Sequence, residues 1–277
     1  IPELFDLAII DDASQCDIAS CLPIIQRAKR IAIVGDPKQL RHVSFLARSK
    51  QSILAIKEGL DEAISGQLDY RSKSILDVAE ETITDQERVQ FLDEHYRSRP
   101  DIIQFSNSKF YNDSIRIMTQ NPELVRMKNI QVIQCFGTRG KNGINKKESE
   151  ELIQAIRETV ELQNGLDSDY SQSIGVTTPF RQQADYLQEL VLNEISVESV
   201  KKHQVLVGTP HSFQGEERDI MFLSFALDQK SSATAMRYMN QSDVFNVMIT
   251  RARVKQIIFL STDESKIKPD SLLGSYL

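Results

Sequence analysis

Short apolar runs, each followed by a helical stretch, recur from one end of the chain to the other. Strands are expected at 7–11, 30–34, 89–92, 131–135, 173–178, 204–208, 219–225 and 256–261. Helices are expected near 17–27, 51–58, 72–82, 100–110, 147–163, 180–194 and 242–252. A strand covered on both faces is apolar throughout, and parallel neighbours need a helical crossover. The alternation therefore predicts an α/β fold with a mainly parallel sheet flanked by helices. The helix at 147–163 has a start signal, with Asn145 as cap and Glu148 three residues on to complete a capping box. Leu152, Ile156 and Val160 then recur on one face.

Residues 41–88 break the pattern. They are polar and charged, contain Gly59 and Gly66, and lack a convincing strand. They are expected to form a connector carrying helices. The resulting division is 1–88 and 89–277. The first part holds too few strands for a complete doubly wound domain, whereas the second is large enough for one.

At 277 residues the chain is long enough for two domains. No apolar run approaches the roughly 20 residues that span a bilayer, and no charged-then-apolar leader precedes the first strand. The opening Ile-Pro-Glu suggests a piece of a longer protein. Cys16, Cys21 and Cys135 make no disulfide framework, and no His/Cys spacing fits zinc. Reduced thiols in a cytoplasmic setting are expected. The net charge of -6 argues against a protein that coats nucleic acid by bulk charge, while leaving room for a local basic groove.

The stretch DLAIIDDASQ, residues 6–15, ends a strand in paired carboxylates. At the carboxyl edge of a parallel sheet, Asp11 can hold Mg²⁺, usually through water, while Asp12 orients or deprotonates an attacking water. The plain alternative is a strand ending in an acidic turn. RIAIVGDPKQL, 30–40, runs a second strand into a Gly-Asp-Pro turn that brings Gln39 to the same edge, where its amide can bond a phosphate oxygen or a water.

In EHYRSRPDIIQFSNSKFY, 94–111, Arg97 precedes a proline-started helix and has a fork suited to phosphoryl oxygens. In VGTPHSFQGEERDIMFLS, 207–224, Thr209, His211 and Ser212 occupy a strand-to-helix turn that can bind a nucleic-acid phosphate. Gln214 and Gly215 follow and bring the backbone close to a nucleotide. FNVMITRARVKQIIFLS, 245–261, is expected to be an amphipathic helix ending at Arg251 and Arg253, then a strand. In IGVTTPFRQQADYL, 174–187, a strand ends at Thr178-Pro179 and opens a helix, where Thr178 can hold a backbone phosphate. Phe180 could stack on a base, but is better placed as core.

These stretches, in this order, resemble the motifs of superfamily 1 helicases, nearest the branch that contains the nonsense-mediated-decay RNA helicase. D-D-A-S-Q and G-D-P-K-Q-L look like motifs II and III. The stretches at 94–111, 207–224 and 245–261 look like Q-Y-R-M-H-P, T-x-x-x-F-Q-G-x-E and N-V-A-L-T-R-A-R. The resemblance covers nearly the whole chain. It implies a P-loop NTPase fold of RecA-like domains, one complete and one partial, with ATP between two such domains, Mg²⁺ as cofactor and single-stranded DNA or RNA as partner. It also implies catalytic roles for Asp11, Asp12, Gln39, Arg97 and Arg251, with Arg251 at the γ-phosphate. Arg253 would pair with an acid or support the helix end. Tyr96, Gln214, Gly215 and Glu217 would face the nucleotide, Glu217 through the ribose or by coupling the two sites. Thr178, Pro179, Thr209, His211 and Ser212 would face the nucleic acid.

The sequence departs from the family pattern at three places. G-x-x-x-x-G-K-[ST] occurs nowhere, and Gly140-Lys141 is followed by Asn142. The phosphate loop is then expected upstream of Ile1, and the chain alone is expected to be inactive. Asp12 stands where the family has Glu, so its carboxylate falls about 1.5 Å short. Ser98-Arg99 replaces Met-His. A rival reading is a nucleic-acid- or protein-binding module that has lost hydrolysis. A nuclease would need an acid cluster with a lysine beside it, which is not found.

Overall fold

The computed structural model describes residues 2–60, 66–121, 128–165 and 171–277. The chain divides into two compact units, Ile1–Leu92 and Asp93–Leu277. Among the described residues no helix is long and apolar enough to cross a membrane.

In the first unit, β1 (Ala8–Ile10) pairs in parallel with β2 (Ile31–Ile33), Ile10 opposite Ile33. The helix Ile18–Ile25 connects them, started by the Asp17 carboxylate, which accepts the Ser20 N–H at 2.9 Å. A second helix, Ile75–Thr82, opens with a complete capping box between Ser74 and Asp77. Ile10, Ala13, Cys21 and Ile75 form the core of this unit. Leu7, Ile9, Ile31 and Val34 stay exposed, so these strands are not covered on both faces as expected. The helix Arg48–Lys57 lies in the connector and buries no residue.

No strand forms at 89–92, where Val89, Phe91 and Leu92 are exposed. An apolar run needs a partner edge to become a strand, and among the described residues this one has none. In the second unit β3 (Glu94–His95) pairs in parallel with β4 (Arg116–Ile117). The helix Pro100–Tyr111 lies between them. Pro100 takes the first turn, where its missing N–H costs nothing, and Asn112 ends the helix in a left-handed conformation, φ 51°.

Five strands make an all-parallel sheet: β5 (Ile130–Gln134), β6 (Ile174–Thr177), β7 (Leu206–Gly208), β8 (Arg218–Ser224) and β9 (Ala252–Leu260), in the order β5-β9-β8-β6-β7. Side-chain alternation feeds two cores. Ile220, Phe222, Ile257 and Phe259 point to the face covered by the helices Lys146–Asn164 and Arg181–Glu194. Met221, Leu223, Ile258 and Leu260 point to the other, where Ile102, Phe245 and Ile249 pack from the helices Pro100–Tyr111 and Ser242–Ile249. Phe180 packs against this second core, under the Arg139 guanidinium 3.8 Å from its ring centre.

The expected capping box at 145–148 forms only half. Asn145 accepts the Glu148 N–H, but the Asn145 N–H goes to Gln183 Oε1. Glu148 is drawn inward instead. Its Oε1 accepts Ser224 Oγ at 2.6 Å and the Ala226 N–H at 2.7 Å, and its Oε2 accepts Ser261 Oγ at 2.6 Å. Burial pushes this carboxyl up to about 7, against the pull of those hydrogen bonds.

Candidate functional site

The candidate residues of the first unit lie on two stitched turns. Val34 N–H donates to Ile10 O, Ala13 N–H to Val34 O, and Ser14 Oγ to Leu40 O. Gly35 suits this closeness, since a Cβ there would sit 3.0 Å from Leu76 Cδ2 and 3.2 Å from Ala13 N. Asp11 and Asp12 follow β1 with both side chains exposed, and the Asp12 N–H donates to Asp11 Oδ1 at 2.9 Å. Asp12 has φ 49°, a left-handed conformation that aspartate tolerates better than most residues. Gln39 Nε2 donates to Asp36 Oδ2 at 3.0 Å, so the Gly-Asp-Pro turn orients the amide. Among the described residues no group of three or more His, Cys, Asp and Glu side chains is gathered for a metal. The two exposed carboxylates still suit Mg²⁺, which binds one or two carboxylates and takes its other oxygens from water and phosphate.

In the second unit the two ends of the five-stranded sheet differ. At the end where β8 and β9 begin, Glu217 pairs with Arg97, and its Oε1 lies 3.6 Å from Arg253 Nε. Asp219 Oδ1 lies 3.6 Å from the same Nε. Asp219 is buried and anchored through Oδ2, which accepts both N–H and Oγ of Ser173 at 2.8 Å. Arg97 and Arg253 keep side-chain exposures of 37% and 40%, so both guanidiniums remain reachable. His95 accepts the Ser98 N–H at Nε2, and burial, then the charge of Arg97, holds its imidazole down to about 4. It is therefore neutral near pH 7 and adds no charge to the cluster. Tyr96 is exposed, with its hydroxyl on Glu94. Arg99 has a structural role here. Its side chain holds Asn129 Oδ1, and its N–H donates to Arg253 O, fixing the starts of β5 and β9.

Arg251 lies apart from this cluster in character. The helix stops at Ile249 and β9 starts at Ala252, so Arg251 falls between the two, 2% exposed, with Nε donating to Val247 O. Arg253 belongs to the strand and does not support the helix end. Sequence reasoning did not single out Asp219, and it ran the helix on to 252. The available signal was the strong β run from 252 onward, which makes a helix through 252 too long.

At the other end, about 20 Å away at the usual rise along β8, lie the hydroxyl-bearing turns. Gly208 ends β7 and admits no side chain, because a Cβ would fall 2.5 Å from Ser212 Cβ. Thr209 leads into a single 3-10 turn, Pro210–Phe213, with His211 and Ser212 exposed. Thr178 N–H donates to Gly208 O, joining the turns after β6 and β7, but Thr178 and Pro179 are themselves buried. Phe213 anchors the turn in the core. Gln214 comes next, with both side-chain amide atoms buried and unpartnered among the described residues. Gly215 has φ 71° and open space around it, so backbone conformation is what favours glycine there.

A parallel five-stranded sheet covered by helices on both faces is an α/β architecture of the RecA-like class. A family model described as an AAA domain matches residues 72–263, and a second of the same description matches residues 2–45. The chain is 28% identical over 283 residues to Helicase sen1 of Schizosaccharomyces pombe, covering 98% of this chain and 15% of that protein. It is 27% identical over 269 residues to the uncharacterized ATP-dependent helicase MG140 of Mycoplasma genitalium, covering 92% and 23%. It is 24% identical to probable helicase senataxin of Homo sapiens, covering 92% and 9%. The chain thus spans less than a quarter of the length of each of these relatives. A solved structure of PRRSV helicase is similar at a TM-score of 0.42 and 14% identity, over 91% of this chain and 34% of that one. The chain belongs to the AAA domain family, within the Upf1-like branch of superfamily 1 helicases.

Proposed function

We propose that this chain is the C-terminal portion of an ATP-dependent helicase, a nucleic-acid-stimulated ATPase that moves along single strands. Residues 1–88 would be the later part of a first RecA-like domain and 89–277 a second. The observation that carries the reading is the clustering of two partly exposed arginines, Arg97 and Arg253, around the Glu217 carboxylate, with Asp219 Oδ1 also 3.6 Å from Arg253 Nε. The two carboxylates hold the guanidiniums in place, and the exposed parts of both side chains can meet a phosphoryl group. Arginines so placed stabilise charge on a transferring phosphoryl group by roughly 10³–10⁵ in rate in other phosphoryl-transfer enzymes.

In this reading Asp11 holds Mg²⁺, which when bound neutralises phosphate charge. Asp12 accepts a proton from the attacking water, and Gln39 orients it. Arg251 stands in this reading as the γ-phosphate contact, and Arg253, which is more exposed, is a second candidate for that role. Gln214, Gly215, Glu217 and Tyr96 remain the nucleotide-facing set. Thr209, His211 and Ser212 grip the backbone of the strand, and buried Thr178 and Pro179 shape that turn. The chain alone is expected to be inactive, since no sequence in it can cradle the β- and γ-phosphates.

The test is ATP hydrolysis with and without single-stranded nucleic acid, by this chain and by a version extended upstream through a phosphate loop. Activity confined to the extended protein supports the proposal. Binding of single strands with no hydrolysis in either favours the rival reading, a binding module, for which Asp12 in place of Glu is the supporting observation.

A further inference from the structure

The loop that leaves β5 carries a feature that neither the phosphate chemistry nor the core uses. Phe136 is 72% exposed and sits at φ 51°, a left-handed conformation that is rare for a bulky side chain. Such a conformation is strained and persists only where the surroundings enforce it. The enforcement is visible. Gly137 is pressed against the Asn145 side chain so closely that a Cβ would lie 2.2 Å from Oδ1. Asn145 is itself buried and bonded to Ser261 and Gln183. The backbone is thus fixed one residue after Phe136, and the ring is held outward.

The ring borders a cavity of about 420 Å³ lined also by Thr138, Asn142, Lys146, Lys147 and Glu150. That size falls within the roughly 300–1,000 Å³ of small-ligand sites. Lys146 and Lys147 are exposed, and the ion pair of Lys147 with Glu151 is long, 3.9 Å. The Glu150 carboxylate disfavours an anion on its own side of the cavity. An aromatic face beside two ammonium groups matches the two parts of a nucleotide in a single strand, a base to stack and a phosphate to neutralise. The location agrees, because β5 ends at the same edge of the sheet as β6 and β7. Counting strands in the order β5-β9-β8-β6-β7, the Phe136 loop lies roughly 19 Å from the Thr209 turn.

We propose that Phe136, with Lys146 and Lys147, forms a stacking subsite for one base and phosphate of a single-stranded nucleic acid, at the outer edge of the sheet. The subsite rests on the nucleic-acid reading above and extends the binding surface from the Thr209 turn to the far strand.

The test is a fluorescence-anisotropy titration of labelled oligothymidylate and oligouridylate with the chain as it stands, comparing wild type, Phe136→Ala, Phe136→Trp and the double variant Lys146→Ala/Lys147→Ala. Stacking of one base predicts that Phe136→Ala weakens binding about tenfold and that Phe136→Trp restores it. The lysine variant should flatten the salt dependence by about 0.7 in log–log slope for each phosphate it no longer neutralises. Equal affinity of wild type and Phe136→Ala, with unchanged melting, overturns the subsite and leaves the helicase reading standing. Failure of the wild type to bind either oligonucleotide overturns the subsite, while the helicase reading is judged by hydrolysis in the upstream-extended protein. Phe136-dependent binding of an acidic peptide, with Phe136-independent binding of both oligonucleotides, assigns the cavity to a protein partner and overturns the proposal.

Discussion

The guanidinium of Arg97, just after β3, is paired with the carboxylate of Glu217, just before β8. The pair joins two segments more than a hundred residues apart in sequence, and Arg253 approaches the same carboxylate from the start of β9. All three side chains are about a third or more exposed. Ion pairs so exposed add little to stability, about 0–1 kcal/mol.

The two neighbouring arginines should differ in what their loss costs. Arg253→Ala removes a partly exposed pair with Glu217 but leaves the buried Asp219 Oδ1 without its cation, and is expected to cost about 1–2 kcal/mol. Arg251→Ala empties a buried site beside the end of the helix Ser242–Ile249 and is expected to cost on the order of 2–4 kcal/mol. Urea unfolding of the two variants checks this.

Asp12 tests the site through charge alone. Asparagine tolerates the left-handed conformation at φ 49° as well as aspartate does, so Asp12→Asn should leave the melting temperature unchanged. In the longer protein it should lower ATP turnover by roughly 10²–10⁴ if Asp12 is the base. Stopped-time phosphate release on the variant, with its melting curve alongside, measures both.

Glu148 sets a pH dependence of known sign. Its carboxyl titrates at the ordinary 4.5 when unfolded and at about 7 when folded. Between those values the folded state keeps a proton that the unfolded state has lost, so stability falls as pH rises from about 4.5 to about 7. Glu148→Gln should abolish this slope. His95 works in the opposite direction. Its folded value near 4 lies below the ordinary 6.5, so its contribution grows as pH rises through that window. Denaturant midpoints measured from pH 4 to pH 8 on wild type and both single variants, Glu148→Gln and His95→Asn, separate the two.

Gly175 tests how tightly β6 is packed. A Cβ at this position would lie 2.3 Å from Met221 Sδ and 2.9 Å from Phe213 Cε1. Met221 can give way but the ring of Phe213, which anchors the Thr209–Ser212 turn, has less freedom. Gly175→Ala is expected to destabilise by about 1–3 kcal/mol, read from the urea midpoint.

The strands of the five-stranded sheet were legible because both faces are buried, which leaves apolar strings such as Ile220-Met221-Phe222-Leu223 with no alternative use. The run at 89–92 is similar in composition but has no neighbouring edge among the described residues, and composition cannot show that. The two-residue strands β3 and β4 are too short to carry a period. The helices Val197–Lys202 and Ala233–Met239 escaped for a similar reason, although Ser196 and Ser232 cap them and were available as start signals. Within the candidate site, residue types and order were legible but burial was not. Two arginines one residue apart look equivalent in TRAR, and only the chain's switch from helix to strand at 250–252 buries one and exposes the other. Glu148 reads in the sequence only as a capping-box partner, because its three short hydrogen bonds come from Ser224, Ala226 and Ser261, more than seventy residues away.

The most direct test of the arginine end is ATP hydrolysis by the longer protein, saturated with single-stranded nucleic acid, for wild type, Arg97→Ala and Arg253→Ala. A fall of roughly 10³-fold or more in turnover is predicted for each arginine variant, with the strand still bound. Undiminished hydrolysis by a folded Arg253→Ala protein would contradict the role given to this arginine.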